Sequence, residues 1–126
     1  MARSDTLNPN NTGQNYNSFA EFWPYYLAEH AQAANRKVHV AGTTLATFSL
    51  CYALLSECYT FLWLAPLIGY GFAWSGHFFI EKNRPATFHY PLYSLLGDFK
   101  MCALTYMGMM GSELQKHNIT PTNQNF

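Results

Sequence analysis

The chain has 126 residues with 7 basic and 7 acidic side chains, so its formal net charge is zero. That balance excludes the clustered basic surface that nucleic-acid binding needs. Charged residues are only 11% of the chain and aromatics 17%, against about 25% charged in an ordinary soluble domain, so part of the surface is expected to meet something other than water.

The length fits one domain. Residues 1–17 are rich in Asn, Ser, Thr and Gly with few apolar anchors, and 116–126 read likewise. Both are expected to be disordered tails flanking one helical domain over 18–115. The N-terminus is polar rather than basic then apolar, so no signal peptide is expected. Cys51, Cys58 and Cys102 are odd in number and never closely paired. Reduced thiols in a reducing compartment follow.

The first helix is announced by Ser18 and Glu21, a hydroxyl with a carboxylate three residues later. Phe19, Phe22, Trp23, Tyr26, Leu27 and His30 then recur at helical spacing on one face. His30 thus extends an apolar stripe. Pro24 interrupts it, and either kinks the first turn or delays the start.

A second helix is expected from Asn35 as cap through Leu55. A helix turns about 100° per residue, so an unbroken one would put His30 and His39 on opposite faces. Both reach one point only if the chain bends near Ala34-Asn35. After the turn at Ser56-Glu57, residues 58–80 carry no formal charge. They have roughly the 20-residue length that crosses a bilayer core, interrupted by Pro66 and glycines. A fourth apolar segment runs over 91–110, broken by Asp98 and Lys100.

Segments two and three form a helical hairpin with a marked sidedness. Arg36 and Lys37 precede one arm, Lys82 and Arg84 follow the other, and the Glu57 turn has no cation. That asymmetry is the one expected of a membrane hairpin with both ends cytoplasmic. The expected fold is all-α, a four-to-five-helix bundle with a central membrane-type hairpin, integral to the membrane with its site on the cytoplasmic side. In a eukaryote that membrane would be the endoplasmic reticulum, in a bacterium the inner membrane. A compact soluble bundle is the alternative.

The same topology gathers four histidines, His30, His39, His77 and His89, at one end of the bundle. Taken singly, each could be a hydrogen-bonded core residue. Together they form a candidate metal site, since burying such groups unpaired costs several kcal/mol each. Imidazole-rich sites suit iron, zinc, copper or nickel. Glu81 shares a helix face with His77 and serves as ligand or as partner of one. Arg84 and Arg36 would sit at the mouth, where a guanidinium binds a carboxylate in fork geometry, or anchor lipid headgroups. Asp98 is a candidate acceptor for an imidazole N–H. His117 lies in the polar tail and is not expected to bind metal.

Three stretches carry a family resemblance: 22–30 (Phe-Trp-Pro-Tyr-Tyr-Leu-Ala-Glu-His), 35–43 (Asn-Arg-Lys-Val-His-Val-Ala-Gly-Thr) and 75–88 (Ser-Gly-His-Phe-Phe-Ile-Glu-Lys-Asn-Arg-Pro-Ala-Thr-Phe). With 91–101 they resemble, in matching order, the 2-hydroxy fatty-acid dioxygenase family. The Gly-His-x-x-x-Glu-Lys-Asn-Arg-Pro-Ala block is its specific part. The resemblance implies an integral membrane, Fe(2+)-dependent enzyme of fatty-acid α-oxidation. Its partners would be a 2-hydroxy fatty acid, O2 and membrane lipid, and a homo-oligomer is compatible with it. The family's histidines fall on His30, His39, His77 and His89. Competing expectations are a zinc-dependent membrane lipid hydrolase and a non-catalytic lipid-binding helical protein.

Overall fold

The computed structural model describes residues 15–120. Most of the expected tails therefore lies outside the described residues. Within them, Tyr16 packs against Phe22 and Tyr25 and its N–H donates to the Tyr90 hydroxyl (3.1 Å). Ile119 packs on the core.

Five α-helices and no strand make up the described residues. Helix α1 (Phe19–Glu29) starts where its capping signal places it, with the Glu21 N–H donating to Ser18 Oγ (3.2 Å). The Glu21 carboxylate accepts from the Asn17 N–H (3.0 Å). Pro24 lies inside α1 without ending it. It is the sixth residue of α1, past Phe22, whose N–H already bonds the Ser18 carbonyl (3.1 Å), so the ring removes one intrahelical bond, that to the Ala20 carbonyl.

The bend required between His30 and His39 is present, slightly earlier than the sequence suggested. Helix α1 closes at His30, Gln32 is extended, and α2 runs Ala33–Ser56. Asn35 is thus inside α2 rather than its cap. Arg36 holds the break shut, donating to the carbonyls of His30 (2.9 Å) and Ala31 (2.8 Å). At its far end α2 stops at Glu57 in the left-handed conformation (φ 57°).

Helix α3 (Thr60–Ser75) returns antiparallel against α2 and passes without a gap into a π-helical turn, Gly76–Glu81. The close approach is made at Gly42, where a side-chain carbon would meet Phe72 Cβ at 2.5 Å. Of the hairpin's two arms, α2 is long and apolar enough to cross a membrane by length and composition. Helix α3 has 16 residues and reaches comparable length only together with the π turn.

A 3-10 turn (Ala86–Phe88) leads to α4 (Pro91–Tyr106), whose first residue is a proline. Helix α5 (Met110–Lys116) is the last helix among the described residues. Phe22, Trp23, Tyr26 and Leu27 of α1 pack with Met101, Leu104, Met110 and Leu114 into one core. The hairpin's far half has almost none: Ala53 and Ala65 are buried, while Leu55 is 87% exposed and Trp63 77%. Apolar residues left in the open over so large an area mark a surface that meets something other than water.

Candidate metal centre

His30 caps the end of α1, His39 is the seventh residue of α2, nearly two turns in, and His77 is the second residue of the π turn. All three are buried, and their ligand atoms lie within 4.8 Å of one another. The rings meet edge to face, with centroids 4.3 Å apart for His30–His39, 4.5 Å for His30–His77 and 4.8 Å for His39–His77. This is the only such group among the described residues.

The proton positions follow from the hydrogen bonds. His30 Nδ1 is 2.7 Å from the Tyr26 carbonyl and His39 Nδ1 is 3.1 Å from the Asn35 carbonyl. A carbonyl only accepts, so both Nδ1 atoms carry the proton. His77 Nδ1 faces Asn83 Oδ1 at 2.7 Å. The Asn83 orientation is fixed because its Nδ2 donates to the Glu29 carbonyl (3.1 Å) and to the Glu29 carboxylate. His77 Nδ1 is therefore the donor as well. Each neutral ring is left with a bare lone pair on Nε2.

Those lone pairs converge. His30 Nε2 and His39 Nε2 stand 3.0 Å apart, and with both protons on Nδ1 no hydrogen bond joins them. Two nitrogens that each lie about 2.0–2.1 Å from one ion at neighbouring positions are about 3 Å apart. Burial, followed by the neighbouring imidazoles, holds His30 well below the ordinary histidine range, and burial lowers His77 despite the Asn83 contact. A shared proton is thereby disfavoured. A divalent cation fits this donor set, with each far nitrogen oriented by an acceptor as metal-binding histidines commonly are.

Two carboxylates flank the cluster. Glu29 is buried and raised to about 7, first by burial and then by nearby Glu81, with the Tyr25 hydroxyl opposing. Glu81 is raised by burial, while the Gln32 N–H that donates to it (2.6 Å) pulls the other way. Gln32 Nε2 donates to the Ile80 carbonyl (3.1 Å), tying the α1–α2 break to the π turn.

The other residues singled out from the sequence are placed differently. His89 is exposed at the end of the 3-10 turn and is not in the histidine group. Glu81 bonds the Gln32 backbone and is likewise outside that group. Arg36 is occupied by the carbonyls of His30 and Ala31. Arg84 is exposed, one residue beyond Asn83. Asp98 accepts the Tyr26 hydroxyl (2.5 Å), and Tyr26 stacks on His30 with centroids 4.0 Å apart. Asp98 therefore reaches the cluster only through Tyr26.

Glu29, Gln32 and Tyr26 were not anticipated as site residues. For Glu29 a signal existed: it lies seven residues after Phe22 and three after Tyr26, on the apolar stripe itself, where a carboxylate needs a partner.

An all-helical protein with three buried imidazoles gathered at the base of an exposed apolar hairpin belongs to the class of candidate metalloproteins. A model of the Mpo1-like family, described as 2-hydroxy-palmitic acid dioxygenase Mpo1-like, matches residues 16–110, and the chain belongs to that family. None of the curated proteins and none of the solved structures matches the chain.

Proposed function

We propose that this protein is an iron(II)-dependent dioxygenase that converts a 2-hydroxy fatty acid and O2 into the one-carbon-shorter fatty acid, CO2 and water. The reaction balances without an external reductant, because the substrate's hydroxyl-bearing and carboxyl carbons supply all four electrons. The observation that carries the reading is the gathering of three buried imidazoles, with the unprotonated Nε2 atoms of His30 and His39 3.0 Å apart, in a family named for this activity.

In this reading His30, His39 and His77 hold the metal. A bound ferrous ion would supply the one-electron chemistry that O2 requires. The chain's own residues do the rest. The three Nδ1–H bonds fix the rings so that only Nε2 is offered. Three neutral imidazoles leave the ion's charge uncompensated at the site, which favours an anionic substrate. Arg84, exposed beside the π turn, is the guanidinium available to steady the substrate carboxylate, while Arg36 braces the α1–α2 break. Glu81 holds Gln32 against the π turn, and Asp98 sets the Tyr26 ring on which His30 stacks. His89 lies at the entrance rather than in the cluster.

The hairpin of α2 and α3 enters the membrane, with α4 and its Asp98 and Lys100 outside. Arg36, Lys37, Lys82 and Arg84 all lie at the hairpin's site end, an asymmetry that supports a cytoplasmic side for the site. A fatty acid dissolved in the bilayer thus meets the site without leaving lipid.

The test is O2 consumption by iron-loaded protein given 2-hydroxypalmitate, with the shortened acid and CO2 measured alongside. Stoichiometric formation of both is expected. Iron-loaded protein that binds metal yet consumes no O2 with any 2-hydroxy fatty acid would overturn the proposed reaction.

A further inference from the structure

The three histidines are not held alike. His30 and His39 each bond the carbonyl four residues back in their own helix. For His30 this is possible because its N–H turns to Leu27 O (3.0 Å) as α1 ends, releasing the Tyr26 carbonyl. Backbone alone orients these two rings. His77 has no such carbonyl and leans on a side chain.

Local structure brings that side chain into place. Lys82 adopts the left-handed conformation (φ 59°) and its N–H caps the His77 carbonyl. This reverses the chain, so the Asn83 N–H also donates to the His77 carbonyl (3.0 Å). The amide then sits beside the imidazole of the residue its own backbone is bonded to. Its Nδ2 reaches across to the last residue of α1, donating to both the carbonyl and the carboxylate of Glu29. With Nδ2 so committed, Oδ1 can only face His77.

We propose that Glu29 and Asn83 form a carboxylate–amide relay that sets the tautomer and aim of His77 and fixes its separation from His30. They are positioning residues for the metal. This inference rests on reading the three histidines as ligands, and it adds that one of them is tuned through side chains. Because Glu29 adjoins His30, the relay couples a ligand on α1 to one on the π turn, 54 residues from Glu29 to Asn83. It also accounts for a carboxylate on the apolar stripe of α1.

The relay makes a prediction that a merely structural contact does not. Asn83→Leu removes the acceptor, and Asn83→Asp keeps the acceptor for His77 but sets a second carboxylate against Glu29. Combining Asn83→Asp with Glu29→Gln restores a donor between the two positions and moves the charge one residue nearer His77. Cobalt(II) affinity, measured by chelator competition on the full chain in detergent, is expected to fall about 10–100-fold in Asn83→Leu. Asn83→Asp should lose a comparable amount, and the double variant should return to within a few-fold of wild type. In metal-free protein, 15N shifts should show His77 protonated on Nδ1 in wild type and in the double variant, and mixed tautomers in Asn83→Leu. Circular dichroism checks that each variant is folded.

Wild-type affinity and wild-type tautomer in Asn83→Leu would overturn the relay. So would a double variant as weak as Asn83→Asp, since contact without pairing logic is then sufficient. If wild type binds no cobalt, the metal reading fails, and the 15N tautomers still decide whether Asn83 governs His77.

Discussion

Gly76 lies against the Asn35 amide so closely that a side-chain carbon at position 76 would overlap Oδ1 and stand 3.1 Å from Cγ. Asn35 is fully buried, and its Oδ1 has no hydrogen-bond partner among the described residues. The seam between α2 and the π turn is therefore closed at one point by the absence of a methyl group.

Gly76→Ala should open that seam. Asn35 is fully buried, so its side chain has little room to swing away. The π turn must move instead, carrying His77 with it. Overpacking of this kind costs about 1–3 kcal/mol, a fall in Tm of several degrees for a domain of this size. Metal affinity should drop as well, because one ligand is displaced while two remain. Thermal melts and cobalt titration of the same sample check both effects. Unchanged metal affinity with a lowered Tm would show that the seam does not position His77.

Single alanine substitutions separate the four sequence-derived histidines. His30→Ala, His39→Ala and His77→Ala should each lose stoichiometric metal, because a two-imidazole remainder is a poor site for a divalent ion. His89→Ala should retain it, given the exposure of His89 and its absence from the cluster. Metal content after gel filtration decides the matter. Loss of metal in His89→Ala at unchanged fold would restore His89 as a ligand.

Much of this architecture was legible in the residues. The capping pair of Ser18 and Glu21 located α1, and the opposite helical phases of His30 and His39 demanded the break found at 30–32. Uncharged segments flanking Glu57 gave the hairpin. His89 shows where such reasoning stops: topology brought it to the correct end of the bundle, but a short 3-10 turn decides which way a side chain leaves the chain. The relay was hidden for a different reason. Glu29 and Asn83 meet only after the π turn and the left-handed Lys82 reverse the chain, and neither feature has a clear signature in the sequence.

The exposed flank of the hairpin gives a direct optical test. Trp63 is 77% exposed in the first turn of α3, whereas Trp23 is 2% exposed in the core. In a protein keeping Trp63 as its sole tryptophan, after Trp23→Phe and Trp74→Phe, lipids brominated on their acyl chains should quench the emission strongly. A headgroup-confined quencher should have little effect. Quenching by iodide in water as strong as that of free tryptophan would place the hairpin outside the bilayer.

The contribution of Asp98 and Glu29 to stability should fall as pH rises through the range in which they ionise, against an opposite contribution from His30 and His77, which burial keeps neutral. Burial pushes the Asp98 carboxyl from 3.8 up to about 7, and the Tyr26 hydroxyl only partly offsets this. Glu29 is also raised, to about 7. A carboxyl with a raised pKa binds its proton more tightly in the folded state than in the unfolded state. It therefore favours folding below its unfolded value, and that advantage is lost progressively between about pH 4 and pH 7. For Asp98 the change amounts to a few kcal/mol. Asp98→Asn keeps a polar partner for Tyr26 and cannot ionise, so the Tm of wild type should fall relative to that of the variant across this window, the slope common to both belonging to Glu29, Glu81 and the buried histidines. Melts of metal-free protein at half-unit pH intervals check the comparison. A wild-type Tm that holds level or climbs relative to Asp98→Asn from pH 4 to pH 7 would mean that Asp98 is ionised in the folded state, contrary to its burial beside Tyr26.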